Sequence, residues 1–326
     1  MKLLAYNVRT DESMFFQRFS EKYGVELHTV PYSPSLENAE HVQGFDAVSI
    51  VTSSITKEIL KKWKAGGIRC VSTRTAGYDH IDMEAAKTLG IPVSTVNYTP
   101  ASVAEYTVML ILMTLRKVKT IVTRGLVQDF SLTKVRGREL RTCTVGIIGA
   151  GRIGEAVIQR LRGFGCKILV HTLNPKEELA SFVSYVSLEA LLRESDVISL
   201  HAPARAETEH LIGQKEMEQM KEGAVLINAA RGTLIDTQSL IAGLESGKIG
   251  AAALDVLENE RKIFYKDLKY KVIPNRDLAV LQSMPNVIIT PHTAFYTEEA
   301  VSDMVEYSIL SCKYEAEGKD NPWRVE

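Results

Sequence analysis

The chain has 326 residues, of which 45% are hydrophobic and 24% charged, with 21 glycines and 10 prolines. That is the composition of a soluble protein with enough apolar material for about two domain cores, and it excludes a disordered or fibrous chain. Lys+Arg 39 against Asp+Glu 40 leave a formal charge of −1, without the basic surplus of a nucleic-acid binder or the basic face of a membrane-surface protein.

In chain order, the N-terminus MKLLAYNVRTDE has too short an apolar run for a signal peptide and meets charge at Arg9. The first hundred residues alternate short β-rich runs with helix-compatible segments. Strands are expected at Lys2–Tyr6, Val25–Val30, Ala47–Val51, Ile68–Thr73 and Pro92–Val96, and helices at Asp11–Tyr23 and Met83–Leu89. This alternation implies βαβ units and a parallel sheet. Thr99 as N-cap and Pro100 at the first helical position open a long helix, Ala101 to about Lys119. It is apolar nearly all round at Tyr106–Leu115, so it must be covered on several sides. That stretch is about half the ~20 residues that span a bilayer, and a cytoplasmic protein is expected.

A second series begins at Cys143. Strands are expected at Thr144–Ile148, Lys167–His171, Phe182–Val186, Val197–His201, Ala224–Asn228, Ala251–Leu254 and Val287–Ile289. Helices are expected at Arg152–Gly163, Leu188–Glu194, Gln214–Met220 and Thr237–Ser246. This is a second doubly wound α/β unit. The long irregular segment Asn259 to Arg276 is of a kind more often functional than idle. Four scattered cysteines (Cys70, Cys143, Cys166, Cys312) form no CxxC and no Cys/His pair at zinc spacing, so buried reduced thiols are expected and no metal site.

The sharpest motif is Gly149-Ala150-Gly151-Arg152-Ile153-Gly154, directly after the strand TVGII and opening a helix. In that context GxGxxG binds a dinucleotide pyrophosphate. Gly149 permits the turn, Gly151 the approach of backbone to phosphate, and Gly154 the close packing of helix on strand, while the helix N-terminus offers free N–H donors. The acid that commonly follows about 20 residues on, to bond the ribose 2′-hydroxyl, is missing: Thr172 occupies its place in Val170-His171-Thr172-Leu173-Asn174-Pro175-Lys176. His171, Thr172, Asn174 and Lys176 could meet a 2′-phosphate. The cofactor is therefore read as NAD(H) or NADP(H), with a slight lean to NADP(H).

Three further sets lie at strand ends, where ligands of such sheets bind. Arg231, in Asn228-Ala229-Ala230-Arg231-Gly232, has the planar fork that suits a carboxylate. Asp255 and Glu260 lie in ALDVLENE. His292, in Thr290-Pro291-His292-Thr293, suits acid/base work near neutral pH. Each alone has a structural reading of comparable weight; together they point to catalysis.

With these residues in view, the chain resembles the D-2-hydroxyacid dehydrogenases over essentially its whole length. TRTAGYDHID, YTPASVAEYTVMLIL, VGIIGAGRIG, DVISLHAP, LINAARGTLID, ALDVLENE and NVIITPHTAFYTEEA carry the resemblance, and RLRGFGCK and MPNVIITPHTA bring it nearest to the VanH-like D-lactate dehydrogenases. The resemblance implies that His292 is the general acid for a 2-keto acid's carbonyl oxygen and that Glu260 hydrogen-bonds His292 and keeps it protonated. It makes Arg231 the ligand of the substrate carboxylate and Asp255 a support of the constellation. Ala76 and Gly77 N–H groups would also hold the carboxylate, Tyr98 would lie near the substrate, and Phe295 and Tyr296 would wall the side-chain pocket. His201, Ala202, Pro203, Ala229, Ala230 and Asp255 would join the glycine loop in contacting the cofactor.

The resemblance further implies a Rossmann dinucleotide-binding domain (100–295) inserted into a flavodoxin-like substrate domain (1–99 and 296–326), with a return helix at Thr297–Glu315. It implies a homodimer through the dinucleotide domain and the helix after Pro100, which would explain that helix's apolar circumference. Small residues in Ser49-Ile50-Val51-Thr52-Ser53-Ser54, where lactate-type relatives often carry a bulky aromatic, suggest a pocket that admits phenylpyruvate or a branched keto acid besides pyruvate. Three rivals are weighed. Formate dehydrogenases would carry Gln at Glu260. Phosphoglycerate dehydrogenases often add a regulatory domain. Non-enzymatic dinucleotide-sensing corepressors dock partner peptides and usually carry disordered tails.

Overall fold

A computed structural model describes residues 1–325. The elements run β1 (Lys2–Ala5), α1 (Thr10–Tyr23), β2 (Glu26–Thr29), β3 (Ala47–Ile50), α2 (Lys57–Ala65), β4 (Cys70–Thr73), α3 (Met83–Thr88), β5 (Val93–Ser94), α4 (Ala101–Leu115) and α5 (Val118–Gly125). They continue β6 (Thr144–Ile148), α6 (Arg152–Leu161), β7 (Lys167–His171), β8 (Ser184–Tyr185), α7 (Leu188–Glu194), β9 (Val197–Leu200), α8 (Gln214–Gln219) and β10 (Ala224–Asn228). The last are α9 (Thr237–Ser246), β11 (Ile249–Leu254), α10 (Arg276–Ser283), β12 (Val287–Ile289), α11 (Glu298–Glu317) and β13 (Arg324–Val325). The chain divides into two compact units, Met1–Thr99 with the chain from Tyr296 on, and Pro100–Phe295.

The first unit holds a sheet of order β13-β5-β4-β3-β1-β2. Its first five strands are parallel in the flavodoxin-like order, and β13 adds an antiparallel edge through Arg324↔Ser94 and Val325↔Val93. β3 and β4 are buried at every residue, as strands covered on both faces must be. One face carries Trp63, Leu60 and Ile59 of α2, and the other packs Phe16 and Phe19 of α1 with Val305 and Ile309 of α11. Between them lies a fully buried ion pair, Arg74 Nε to Glu12 Oε1 at 3.0 Å. Ser49 Oγ and the Tyr6 carbonyl take further guanidinium protons, so the buried charge is paired and hydrogen-bonded, as its burial demands.

The second unit holds a parallel sheet of order β12-β11-β10-β9-β6-β7-β8, the doubly wound Rossmann order with a seventh strand. The order reverses between β6 and β9, which makes their carboxyl ends the ligand-binding crevice. α4 lies on α6 and on the β10–β12 edge. Ser102, Val103, Ala104, Thr107, Val108, Leu110, Ile111, Thr114 and Leu115 are all buried within the chain. Much of the apolar circumference of this helix is thus covered within the chain, while Met109 stays 38% exposed.

Pro100 has helical dihedrals (φ −70°, ψ −5°), and its carbonyl accepts the Ala104 N–H at 3.0 Å. The expected continuous helix to Lys119 breaks at Lys117, whose φ of 54° is left-handed and interrupts the ladder. Beyond the break, Lys119 Nζ donates to the carbonyls of Gln282, Met284 and Val287 at 3.1, 2.7 and 2.6 Å. Among the described residues α2, most of α5, α10 and β13 lie outside the sequence reading.

Candidate functional site

Five adjacent strands of the second unit, β6, β9, β10, β11 and β12, deliver their carboxyl ends to Gly149, His201, Arg231, Asp255 and His292 in turn. Parallel pairing therefore gathers along one sheet edge residues that lie up to 143 positions apart in the chain.

At the switch point the backbone forms a cradle. Gly149 has a φ of 94°, and a Cβ there would press on the His201 and Ala202 backbone at 2.8–2.9 Å. A Cβ at Gly154 would strike the Gly149 carbonyl, whereas at Gly151 nothing lies within 4 Å. Two glycines thus close the packing and the third leaves open space at the N-cap of α6, which fits a pyrophosphate on free N–H groups. Gly149 N–H donates to the His171 carbonyl at 2.8 Å, and Ala150 N–H to Thr172 Oγ1 at 3.3 Å. Arg152 is exposed and Ile153 half-buried in the first turn of α6. His201 Nε2 pairs with Ser199 Oγ at 2.9 Å, and burial pushes its pKa down to about 4, so this wall of the cradle is neutral at physiological pH. Ala202 and the exposed Pro203 continue it, and Ala229 and Ala230 stand half-buried after β10.

The 2′-phosphate candidates are less open than the sequence suggests. Lys176 Nζ is held by Glu155 Oε2 at 2.5 Å, and this partner raises its pKa. His171 Nδ1 faces the Val186 carbonyl at 3.3 Å. Asn174 is exposed, as are Glu177 and Glu178. The lean to NADP(H) thereby loses its cation.

Asp255 is the keystone of the opposite end. Wholly buried, it accepts Thr290 Oγ1–H at 2.6 Å and the Thr293 N–H at 2.9 Å on Oδ1, and the Ala294 N–H at 2.9 Å on Oδ2. Its carbonyl accepts the His292 N–H at 2.7 Å. These bonds fold residues 290–294 around the carboxylate and hold His292 at a φ of 53°, a left-handed conformation costing a non-glycine residue roughly 1–2 kcal/mol. We expect Asp255→Asn to cost about 2–4 kcal/mol of stability, because an amide N–H₂ would face a backbone N–H and leave a buried donor unpaired. Urea unfolding reads this; a loss below about 1 kcal/mol would contradict the keystone role.

The imidazole itself is set by Glu260. His292 Nδ1 lies 2.6 Å from Glu260 Oε1, and Glu260 Oε2 accepts the Leu257 N–H at 2.7 Å. Both carboxylate oxygens are thus engaged, the ring orientation is fixed, and Nε2 has no partner among the described residues. Phe295 meets the ring edge-on, with centroids 6.3 Å apart.

Arg231 stands in a turn stapled by Asn228, whose Nδ2 donates to the Arg231 carbonyl at 2.8 Å and whose Oδ1 accepts the Ala230 N–H at 3.0 Å. A Cβ on the next residue, Gly232, would run into the Leu257 carbonyl. Glycine there lets the Arg231 turn press against the segment that carries Glu260. Behind it, Glu258 takes His210 Nε2 at 2.8 Å and the Thr237 N–H and hydroxyl at 3.0 and 2.5 Å, and this contact raises the His210 pKa. Sequence reasoning singles out neither Asn228 nor Glu258 as a site residue; their only signal is that they flank Arg231 and Glu260.

The remaining expected site residues belong to the first unit. Ala76 and Gly77 form the turn after β4, where Thr75 Oγ1 donates to the Gly77 carbonyl at 2.6 Å, and Tyr98 lies half-buried before Pro100. The Tyr296 ring lies under the Arg9 guanidinium at 5.5 Å, so of the two expected wall residues it is Phe295 that touches His292. Ser49, Ile50 and Val51 are buried in and just beyond β3, with Ser49 Oγ occupied by Arg74 and Ser308. Only Thr52, Ser53 and Ser54 of the supposed pocket segment reach the surface.

Comparison with known proteins agrees with this architecture. Residues 108–294 match the family model described as D-isomer specific 2-hydroxyacid dehydrogenase, NAD binding domain. The chain is 45% identical over 311 residues to a D-specific alpha-keto acid dehydrogenase of Enterococcus faecium, covering 95% of each protein. It is 43% identical over 329 residues to an aromatic 2-oxoacid reductase of Clostridium sporogenes, covering 100% of this chain and 99% of that one. A D-lactate dehydrogenase structure from Treponema pallidum superposes with a TM-score of 0.89 at 33% identity, covering 100% of both chains. The chain thus belongs to the D-isomer specific 2-hydroxyacid dehydrogenase family and is an NAD-dependent oxidoreductase.

Proposed function

We propose that the protein reduces a 2-keto acid to the D-(R)-2-hydroxy acid, with His292 as general acid, Glu260 as its partner and Arg231 as the ligand of the substrate carboxylate. The observation that carries this reading is the His292–Glu260 pair, with Nε2 uncommitted, on the same sheet edge as the glycine cradle. Glu260 accepts the Nδ1 proton, which leaves Nε2–H of the imidazolium to be given to the carbonyl oxygen. Arg231 binds the carboxylate by two parallel hydrogen bonds and draws electron density from the adjacent carbonyl. A nicotinamide dinucleotide, when bound, would supply the hydride for the carbonyl carbon. Gly149, Gly151 and Gly154 would hold its pyrophosphate, with Ala202, Pro203, Ala229 and Ala230 beside them.

NADH is the cofactor we propose. Glu155 neutralises Lys176, and the family model is that of an NAD-binding domain. NADPH is accepted as well, because no carboxylate at Thr172 repels a 2′-phosphate. Relatives named for aromatic and for general 2-keto acids, with the small residues Thr52–Ser54, favour substrates larger than pyruvate. The test is kcat/KM for pyruvate, phenylpyruvate and 2-ketoisocaproate with each cofactor. We expect phenylpyruvate or the branched acid to exceed pyruvate; pyruvate alone as substrate would refute the open pocket.

The assembly we propose is a homodimer through the second unit. A run of exposed apolar residues follows α4, where Leu126, Phe130 and Leu132 are 81%, 80% and 88% exposed, and such a patch marks an association surface. The double variant Leu126→Asp, Phe130→Asp is expected to sediment as a monomer with its circular dichroism intact; an unchanged dimer would place the interface elsewhere. Among the described residues no helix is long and apolar enough to cross a membrane, and four free cysteines suit the reducing cytoplasm.

A further inference from the structure

Tyr265 lies in the irregular stretch after Glu260, and no reading of the sequence assigns it a role. It has a left-handed φ of 64°. Its hydroxyl donates to the main-chain carbonyl of His292 at 2.7 Å, and its ring lies 6.1 Å from the imidazole, tilted by 40°. One short segment thus grips His292 twice: Glu260 takes the ring at Nδ1 and Tyr265, five residues on, takes the backbone carbonyl. The segment is tightened by the Ile263 and Phe264 N–H groups, which both donate to the Glu260 carbonyl at 2.8 Å, and is anchored by the buried ring of Phe264. Asp255 closes the third grip, on the His292 N–H. His292 needs all three because its own φ is left-handed, and such a backbone persists only where its surroundings over-determine it. At 58% exposure Tyr265 buries little apolar surface, so polar contact, the hydroxyl bond to His292 among it, weighs more than packing in its placement.

We propose that Tyr265 is a positioning residue for the reduction: its hydroxyl holds the left-handed His292 backbone so that Nε2 points where the substrate oxygen must receive its proton. The proposal rests on the reading of His292 as the proton donor. A Phe at this position keeps the ring and removes the hydroxyl that holds the His292 carbonyl. Displacing a catalytic group by about 1 Å can cost 10²-fold, so Tyr265→Phe is expected to lower kcat by about 10- to 100-fold. The KM for the keto acid should stay within about twofold, since Arg231 is untouched.

The experiment measures kcat and KM with NADH and phenylpyruvate for the wild type, Tyr265→Phe, His292→Gln and the double variant. Melting curves and the proton resonance of the His292 Nδ1–H, assigned by its loss in His292→Gln, are recorded beside them. Expected are a kcat loss in Tyr265→Phe with an unchanged melting midpoint, a shifted or broadened Nδ1–H resonance, and no further kcat loss when Tyr265→Phe is added to His292→Gln. Wild-type kcat in Tyr265→Phe, additive losses in the double variant, or a fall in activity matched by loss of folded protein would each overturn the Tyr265 role. If the wild-type chain turns over no 2-keto acid at all, the reading of the site falls and takes this role with it. Turnover by the wild type with an indifferent Tyr265→Phe removes the Tyr265 role alone.

Discussion

Replacing His292 by Gln is expected to lower kcat for keto-acid reduction by about 10²–10⁴-fold, while NADH binding, read by quenching of its fluorescence on titration, stays as in the wild type. Gln approximates the size of the ring and keeps a polar end near Glu260 Oε1, so the 290–294 turn held by Asp255 should survive. What Gln lacks is a dissociable proton at the place of Nε2. The reduction would then have to draw its proton from water, without the positioned donor that the proposed role assigns to His292. Because His292 stands at the end of β12 and the glycine cradle at the end of β6, four strands apart in the sheet, removing the imidazole leaves the pyrophosphate donors in place. Loss of NADH affinity with kcat preserved would assign His292 to cofactor binding and refute its role as acid.

Arg231→Lys is expected to raise the KM for the keto acid by about 10- to 100-fold, with a smaller effect on kcat. The substitution keeps the charge, so a loss measures geometry. The guanidinium offers two parallel N–H groups to a carboxylate, whereas an ammonium offers one point of contact on a flexible stem. The turn that presents the side chain is set by Asn228 and by the absence of a side chain at Gly232, so a lysine in place of Arg231 should start from the same backbone and fall short only at its tip. Kinetics with saturating NADH and varied phenylpyruvate separate the two parameters. Unchanged KM and kcat would leave Arg231 a structural residue.

The reach of the sequence depends on where each signal is stored. Strand ends of a parallel sheet are legible because the strands are short apolar runs, and because the residues just past each run must lie on one sheet edge. Gly149, Arg231, Asp255 and His292 can all be placed on that edge from the sequence. The glycine motif is legible in the same way, since each glycine answers a separate steric demand.

Contacts made across loops are not legible. The grip of Tyr265 on His292 and the tie between Glu258 and His210 depend on an aperiodic segment, where no repeat fixes which way a side chain turns. The α4–α5 break is hidden because a left-handed Lys117 has no sequence signature of the kind glycine supplies. The capture of Lys176 by Glu155 joins two elements 21 positions apart, and it engages the one lysine among the expected 2′-phosphate contacts. The apolar face of α4 is visible in the sequence but its cover is not, because hydrophobicity reports that a surface is buried and not by what. That cover is chiefly α6 and the sheet, while Met109 on the helix and several apolar residues in the segment beyond it, Leu126 to Leu132, are exposed.

Together these bonds make the second unit a frame around one uncommitted atom, Nε2 of His292, with a fixed donor geometry on one side and a cradle for a dinucleotide along the same edge. The most direct test of that account is the chirality of the product. Purified protein, NADH and phenylpyruvate are incubated until the absorbance of NADH falls, and the hydroxy acid is resolved on a chiral column. The account predicts consumption of NADH matched mole for mole by (R)-phenyllactate. No NADH consumption with any 2-keto acid, or an (S) or racemic product, would contradict it.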